Sequence, residues 1–222
     1  MNIEKVFNSF CKKLEIREGF LSEDNVRFYW FAAMLEQDSN LNHFSLEEPY
    51  SNLKGKELDL MYKGGDNETM KFEIKFHINR TAETTFPHTQ AAGELFDDLL
   101  RLTALKNKDI KNWEKGEYFF LYVNDNEMHD YLSMVSNQNK NLEYREELKS
   151  FYDGTKLDLY FNQNTPKAFR ETANESTKSN SEDAIIINGL TLLYKDSFRC
   201  ESKSLTAIKQ NGVNCHVRLY EL

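Results

Sequence analysis

Two acids and an amine, Asp59, Glu73 and Lys75, are the residues whose spacing points to chemistry. The stretch 55–77, GKELDLMYKGGDNETMKFEIKFH, alternates polar and apolar residues on both sides of Lys63-Gly64-Gly65-Asp66-Asn67-Glu68. Alternation with period two reads as strands, and glycine, Asp and Asn supply the backbone freedom of a turn. A turn centred on Asp66 sets Asp59 directly opposite Glu73, with Cβ atoms about 4.5–5.5 Å apart on one face. Lys75 lies two residues past Glu73 and shares that face. Two carboxylates on neighbouring strands can take one side of a Mg²⁺ or Mn²⁺ ion that keeps several waters. Such an ion lowers the pKa of bound water and stabilises charge on an attacked phosphate, while Lys75 would orient or deprotonate the water or neutralise the charge that develops. The same residues also read as the wet face of an amphipathic strand, with Lys71, Glu73, Lys75 and His77 facing Glu57 and Asp59 in ordinary cross-strand ion pairs.

The elements that must hold this hairpin follow from periodicity. Ile3, Val6, Phe7, Phe10 and Leu14 recur at helical spacing. Ser22 is a good N-cap for a second helix, with Glu23 and Asp24 where the helix dipole favours acids. Residues 26–35 (VRFYWFAAML) are apolar nearly all round, which predicts a buried helix with Phe28, Tyr29, Trp30 and Phe31 in the core. Residues 42–48, stopped by Pro49, read as a short strand, and 79–89 as a loop. Residues 90–105 carry an apolar stripe (Ala91, Ala92, Leu95, Phe96, Leu99, Leu100, Leu102), the clearest helix in the chain, followed by a lysine-rich link (Lys106, Lys108, Lys111, Lys115). With Lys54, Lys56 and Arg80 these lysines form either a phosphate track or a solvated face. The run 118–123 (YFFLYV) is a strand buried on both faces. Helices are expected around 128–135 and 142–152, a strand at 156–161, a polar loop at 171–183, and four strands at 184–187, 190–194, 204–208 and 213–220.

Asp59, thirteen intervening residues, then Glu73-Ile74-Lys75 resembles the PD-(D/E)xK motif of the restriction-endonuclease-like nuclease superfamily, with Leu58 where the motif's name has proline. The resemblance extends over residues 22 to 123 and includes the order of elements. It implies an α/β fold whose core is a helix, a three-stranded meander, a second helix and a further strand, here with a β-rich C-terminal extension. Residues 1–165 would form that core with its N-terminal helices, 166–183 a linker or loop, and 184–222 the extension of the same domain. The implied activity is Mg²⁺- or Mn²⁺-dependent phosphodiester hydrolysis, most naturally of DNA, in restriction, phage defence or repair. Asp59 and Glu73 would hold the metal and Lys75 would serve the attacking water. The superfamily's extra acid would be Glu23 or Glu36 from a helix, or Glu48 from a strand. Gln90 stands where some branches place a glutamine, although Glu94 replaces the tyrosine they carry four residues on. The competing reading is a non-cutting interaction module or partner subunit that keeps the fold.

Composition narrows the classes. With 222 residues, 40% of them hydrophobic and 13% aromatic, the chain can build a globular core. A net charge of −8 argues against a protein that coats nucleic acid, although a local basic groove remains compatible with it. No apolar run approaches the ~18–20 residues of a membrane span, and the amphipathic N-terminus is unlike a secretion signal. Three cysteines without CxxC spacing read as reduced thiols in a cytoplasm. Five histidines lack zinc-ligand spacing, and phosphate-loop, dinucleotide, zincin and nucleophile-elbow motifs are missing from the sequence. Action as a homodimer or as a subunit of a larger complex stays open.

Overall fold

The computed structural model describes residues 1–50, 57–65, 68–78, 88–111, 115–133, 152, 157–160, 184–187, 190–193 and 197–222. Residues 79–87 of the loop expected at 79–89, 142–151 of the helix expected at 142–152, the linker at 166–183 and residues Lys54, Lys56 and Arg80 lie outside them, while His88 and Thr89 belong to a helix and not to the loop.

Two N-terminal helices come first. Helix α1 (Ile3–Glu15) starts at Asn2, whose side chain accepts the Lys5 amide. Helix α2 (Glu23–Leu35) starts in a capping box in which Ser22 and Asn25 each bond the other's backbone N–H. Trp30 fixes α2 in place: its ring meets Phe10 of α1 edge-on at 5.3 Å and Phe72 of the sheet at 5.6 Å. Only part of α2 is buried. Phe28 is 62% exposed, and Tyr29 and Phe31 are half-buried, because a helix at the surface of a layered fold buries one face however apolar its other residues are.

After a 3-10 turn at Leu41–His43, the strands β1 (Phe44–Pro49), β2 (Glu57–Lys63) and β3 (Thr69–His77) form an antiparallel meander. Leu60 pairs with Phe72, Met61 with Lys71 and Tyr62 with Met70, the register that a turn centred on Asp66 requires. The Gly64 amide donates to Glu68 O at 2.8 Å, and a Cβ on Gly64 would sit 2.5 Å from the Tyr62 hydroxyl, so any larger residue must displace the Tyr62 side chain. Helix α3 (His88–Lys111) then leads to β4 (Glu117–Asp125), which runs parallel to β3, as a helical crossover permits. The helix does not end where the lysines begin; Lys106 lies within it, half-buried, so 106–111 is helix rather than link.

Helix α4 (Asn126–Ser133) follows, then β5 (Leu157–Tyr160), β6 (Ala184–Ile187), β7 (Leu190–Leu193), β8 (Ser197–Gln210) and β9 (Val213–Glu221). The sheet order is β1-β2-β3-β4-β9-β8-β5, with β6 and β7 paired separately. The last long strand therefore lies against β4 in the middle of the sheet. Its hairpin with β8 turns through Asn211 and Gly212, both at positive φ.

The result is a mixed α/β fold in three layers. Residues 70, 72, 74 and 76 of β3, with 119, 121 and 123 of β4 and 215, 217 and 219 of β9, pack under α1 and α2. The opposite face, with Tyr118, Phe120, Tyr122 and Tyr220, packs under α3 and α4. Among the described residues no helix is long and apolar enough to cross a membrane.

Candidate functional site

The alternate residues of β3, Lys71, Glu73, Lys75 and His77, face α3, and the helix covers them. Glu73 is 3% exposed, and Lys71 and His77 are buried as well. This is not a wet strand face: ionisable side chains here have been taken out of water, which costs several kcal/mol per ion unless each is compensated.

At one end compensation is complete. The Lys71 ammonium bonds Asp109 of α3 at 2.5 Å, and Asp109 also accepts the Tyr118 hydroxyl. At the other end acids accumulate. The β2–β3 ladder stops at the Leu60–Phe72 pair, and from there the strands are joined by a side chain: Asp59 Oδ2 accepts the Ile74 amide at 2.6 Å. On the other side of β2, the ladder to β1 skips the position opposite Asp59. That position is Glu47, a non-glycine residue in the left-handed region at φ 53°. Asp59 thus sits where pairing lapses on both flanks, and its carboxyl comes within hydrogen-bonding reach of Glu73.

Two carboxylates in such contact cannot both ionise without a cation or a shared proton. Burial, then the charges of Asp59 and Asp98, push Glu73 well above the ordinary carboxyl range. Burial also raises Asp59, against the lowering pull of Arg27 and the Ile74 amide. The Tyr50 hydroxyl, buried at the end of β1, donates to Glu73 Oε1. Helix α3 adds Glu94, Asp97 and Asp98, of which Asp97 and Asp98 both accept from Arg101. Six carboxyls (Glu23, Asp59, Glu73, Glu94, Asp97, Asp98) thus meet three cationic side chains (Arg27, Lys75, Arg101).

Lys75 is half-buried, and its ammonium lies 3.4 Å from Asp98 and 3.7 Å from Glu94 rather than on Asp59 or Glu73. Burial opposes its charge, but Asp98, Glu23 and Glu94 together outweigh burial and raise its pKa, so it stays cationic at neutral pH. His77 is lowered by burial and is neutral; its Nδ1 lies 3.1 Å from the Tyr122 hydroxyl and its Nε2 3.6 Å from Glu94. Glu94 is held down to about 2, by His77 first, then by Lys75 and Gln90 against burial.

Of the residues singled out from the sequence, Asp59 and Glu73 meet, Lys75 pairs instead with Asp98 and Glu94, and Glu23 joins through Arg27. Arg27 Nη2 lies 2.7 Å from both Glu23 Oε1 and Asp59 Oδ1. Burial raises the pKa of Glu23. Glu48 and Gln90 do not reach the pair. Glu48 is in register with Leu58, so Glu47 and not Glu48 flanks Asp59, and the Glu48 side chain makes no ion pair or hydrogen bond among the described residues. Gln90 is exposed in the first turn of α3 and, among the described residues, donates only to Glu94, at 3.2 Å. Glu36 lies elsewhere, bonded to Ser9 and Lys13 of α1.

Arg27, Tyr50, Asp98 and Arg101 were not singled out from the sequence. A signal existed for two of them: Gln90, Glu94, Asp98 and Arg101 recur at helical spacing beside the apolar stripe of α3. Nothing in the sequence marks Tyr50.

Among the described residues no three His, Cys, Asp or Glu side chains converge as a ready-made cage for a metal ion. The pair that does converge offers hard oxygen donors, has pKa values raised first by burial, and leaves the rest of a coordination shell to water. That donor set suits Mg²⁺ or Mn²⁺ and not structural zinc. Comparison of the chain with protein-family models, curated proteins and solved structures finds no match.

Proposed function

We propose that this protein is a Mg²⁺- or Mn²⁺-dependent phosphodiesterase with a restriction-endonuclease-like core, acting on DNA. The observation that carries the proposal is the buried contact between Asp59 and Glu73, two carboxyls of adjacent strands with raised pKa values and a cationic lysine close by. The order α2, β1-β2-β3, α3, β4, with β4 parallel to β3, supports the fold assignment. DNA as the substrate rests on the resemblance of Asp59, Glu73-Ile74-Lys75 to the nuclease motif.

Asp59 and Glu73 would hold the ion, which when bound supplies Lewis-acid polarisation of a phosphate and acidification of water. The chain's own groups do the rest. The Ile74 amide fixes one oxygen of Asp59, and Tyr50 orients Glu73 by donating to its Oε1. Lys75 keeps its proton, so its role is to stabilise negative charge and orient water rather than to act as a base. Asp98 holds the lysine in place.

The test is cleavage of a labelled DNA duplex and single strand by the full chain with Mg²⁺ or Mn²⁺, beside the Asp59→Asn and Lys75→Met variants. The expected result is metal-dependent cleavage by the wild type, reduced at least ~100-fold in either variant. Intact DNA under all conditions, with metal binding preserved, would favour the non-cutting interaction module. Cleavage that survives Asp59→Asn would place the activity elsewhere.

A further inference from the structure

Resting on the metal-site reading above, we propose that Arg27 is a placeholder cation, closing Asp59 in the ion-free protein and yielding to a divalent ion when one binds. Three observations carry this. The guanidinium touches Asp59 through a single atom: Nη2 is shared between Asp59 Oδ1 and Glu23 Oε1 at 2.7 Å each, and Nη1 lies 4.0 Å from Asp24. This is not the two-pronged fork of a permanent arginine–carboxylate pair. Among the described residues the Nε atom is buried without a partner, so none of them uses the second edge of the group. The side chain is one-third exposed, which leaves it a route to solvent that Arg101, clamped by Asp97 and Asp98, does not have.

The arrangement also provides for the displaced group. Glu23 lies one helical turn before Arg27 on α2 and already bonds the same nitrogen, so leaving Asp59 breaks one charged contact and keeps the other. The helix itself need not move, because Trp30 pins it to Phe10 and Phe72. A divalent ion beside Asp59 repels the guanidinium, and both compete for one carboxylate. The intrinsic arginine thus sets the metal concentration at which the site opens.

Calorimetric titration of the full chain with Mn²⁺, comparing wild type, Arg27→Gln, Arg27→Lys and Glu73→Gln, tests this alongside metal-free thermal unfolding. Arg27→Gln is expected to bind Mn²⁺ about tenfold more tightly, the loss of one competing charged hydrogen bond. Its metal-free Tm is expected to fall by about 3 °C. Arg27→Lys, with a shorter reach and one point charge, should fall between the two. A merely structural arginine would lower Tm without tightening the metal. If Arg27→Gln and Arg27→Lys bind no better than wild type while Glu73→Gln binds less, the placeholder role is overturned and the metal site stands. If no protein binds Mn²⁺, the site reading fails and the placeholder with it.

Discussion

Strand β3 places eight consecutive residues in two unlike environments. Met70, Phe72, Ile74 and Phe76 point into a hydrocarbon layer closed by α1 and α2; Lys71, Glu73, Lys75 and His77 point under α3. Both sides are largely shielded from water, so the difference lies in what shields them. The first side gains from burial, roughly 25 cal/mol per Å² of apolar surface. The second must offset desolvation charge by charge, and it does so unevenly: one-to-one at Lys71–Asp109, with acids in excess around Asp59 and Glu73. A fold selected for stability alone has no use for the second arrangement, because hydrocarbon of equal volume is as stable or more so. That contrast within one strand is why the acidic end is read as a site and the Lys71 end as structure.

The contrast can be attacked at each point. The largest effect is expected on the apolar side: Phe72→Ala, removing the ring stacked at 5.2 Å on Phe119 and meeting Trp30, should cost about 4 kcal/mol with or without metal. Next, Asp109→Ala strands the buried Lys71 ammonium and should cost about 3 kcal/mol in urea unfolding. A loss under ~1 kcal/mol would show that this end too is not balanced by pairing.

Glu73→Gln should do the reverse. Because the folded protein holds this proton above the ordinary carboxyl value of about 4.3, the folded state binds more protons than the unfolded one as pH rises past that value. Metal-free wild type therefore loses stability with rising pH from that point up to the raised folded pKa. The variant should lack that slope and be on the order of 1 kcal/mol more stable at pH 8. A wild type that gains stability across that range would remove the like-charge argument. Smallest of all, Glu47→Gly relieves a left-handed residue and should change stability by no more than ~1 kcal/mol, since the entropy glycine adds to the unfolded chain offsets the gain.

How much of this was legible in the sequence depends on the range of the interaction involved. The register of β2 on β3 from Leu60–Phe72 to Lys63–Thr69 was, because the turn residues and the two-residue alternation are local and together fix it. The capped start of α2 and the apolar stripe of α3 were legible for the same reason. The acids of α3 left a signal, Glu94 and Asp98 at helical spacing beside the stripe, but a helix read for its apolar stripe does not say what the stripe's border faces. The outward turn of Phe28 was missed because a segment apolar all round does not say which side the protein lacks. The length of β8 was underestimated, as its first half (SFRCESK) offers only Phe198 and Cys200 as apolar residues and then turns polar at Glu201, Ser202 and Lys203. The seat of β9 beside β4 is a pairing between distant segments, and no local pattern encodes it.

The central claim is that Asp59 and Glu73 together hold one divalent ion in place of a proton. Titrating Mg²⁺ into the full chain near pH 7, in buffers of different ionisation heat, measures both halves at once. The account predicts about one ion per chain with release of protons, and no binding in Glu73→Gln. Equal binding by wild type and Glu73→Gln, or binding without proton release, would contradict it.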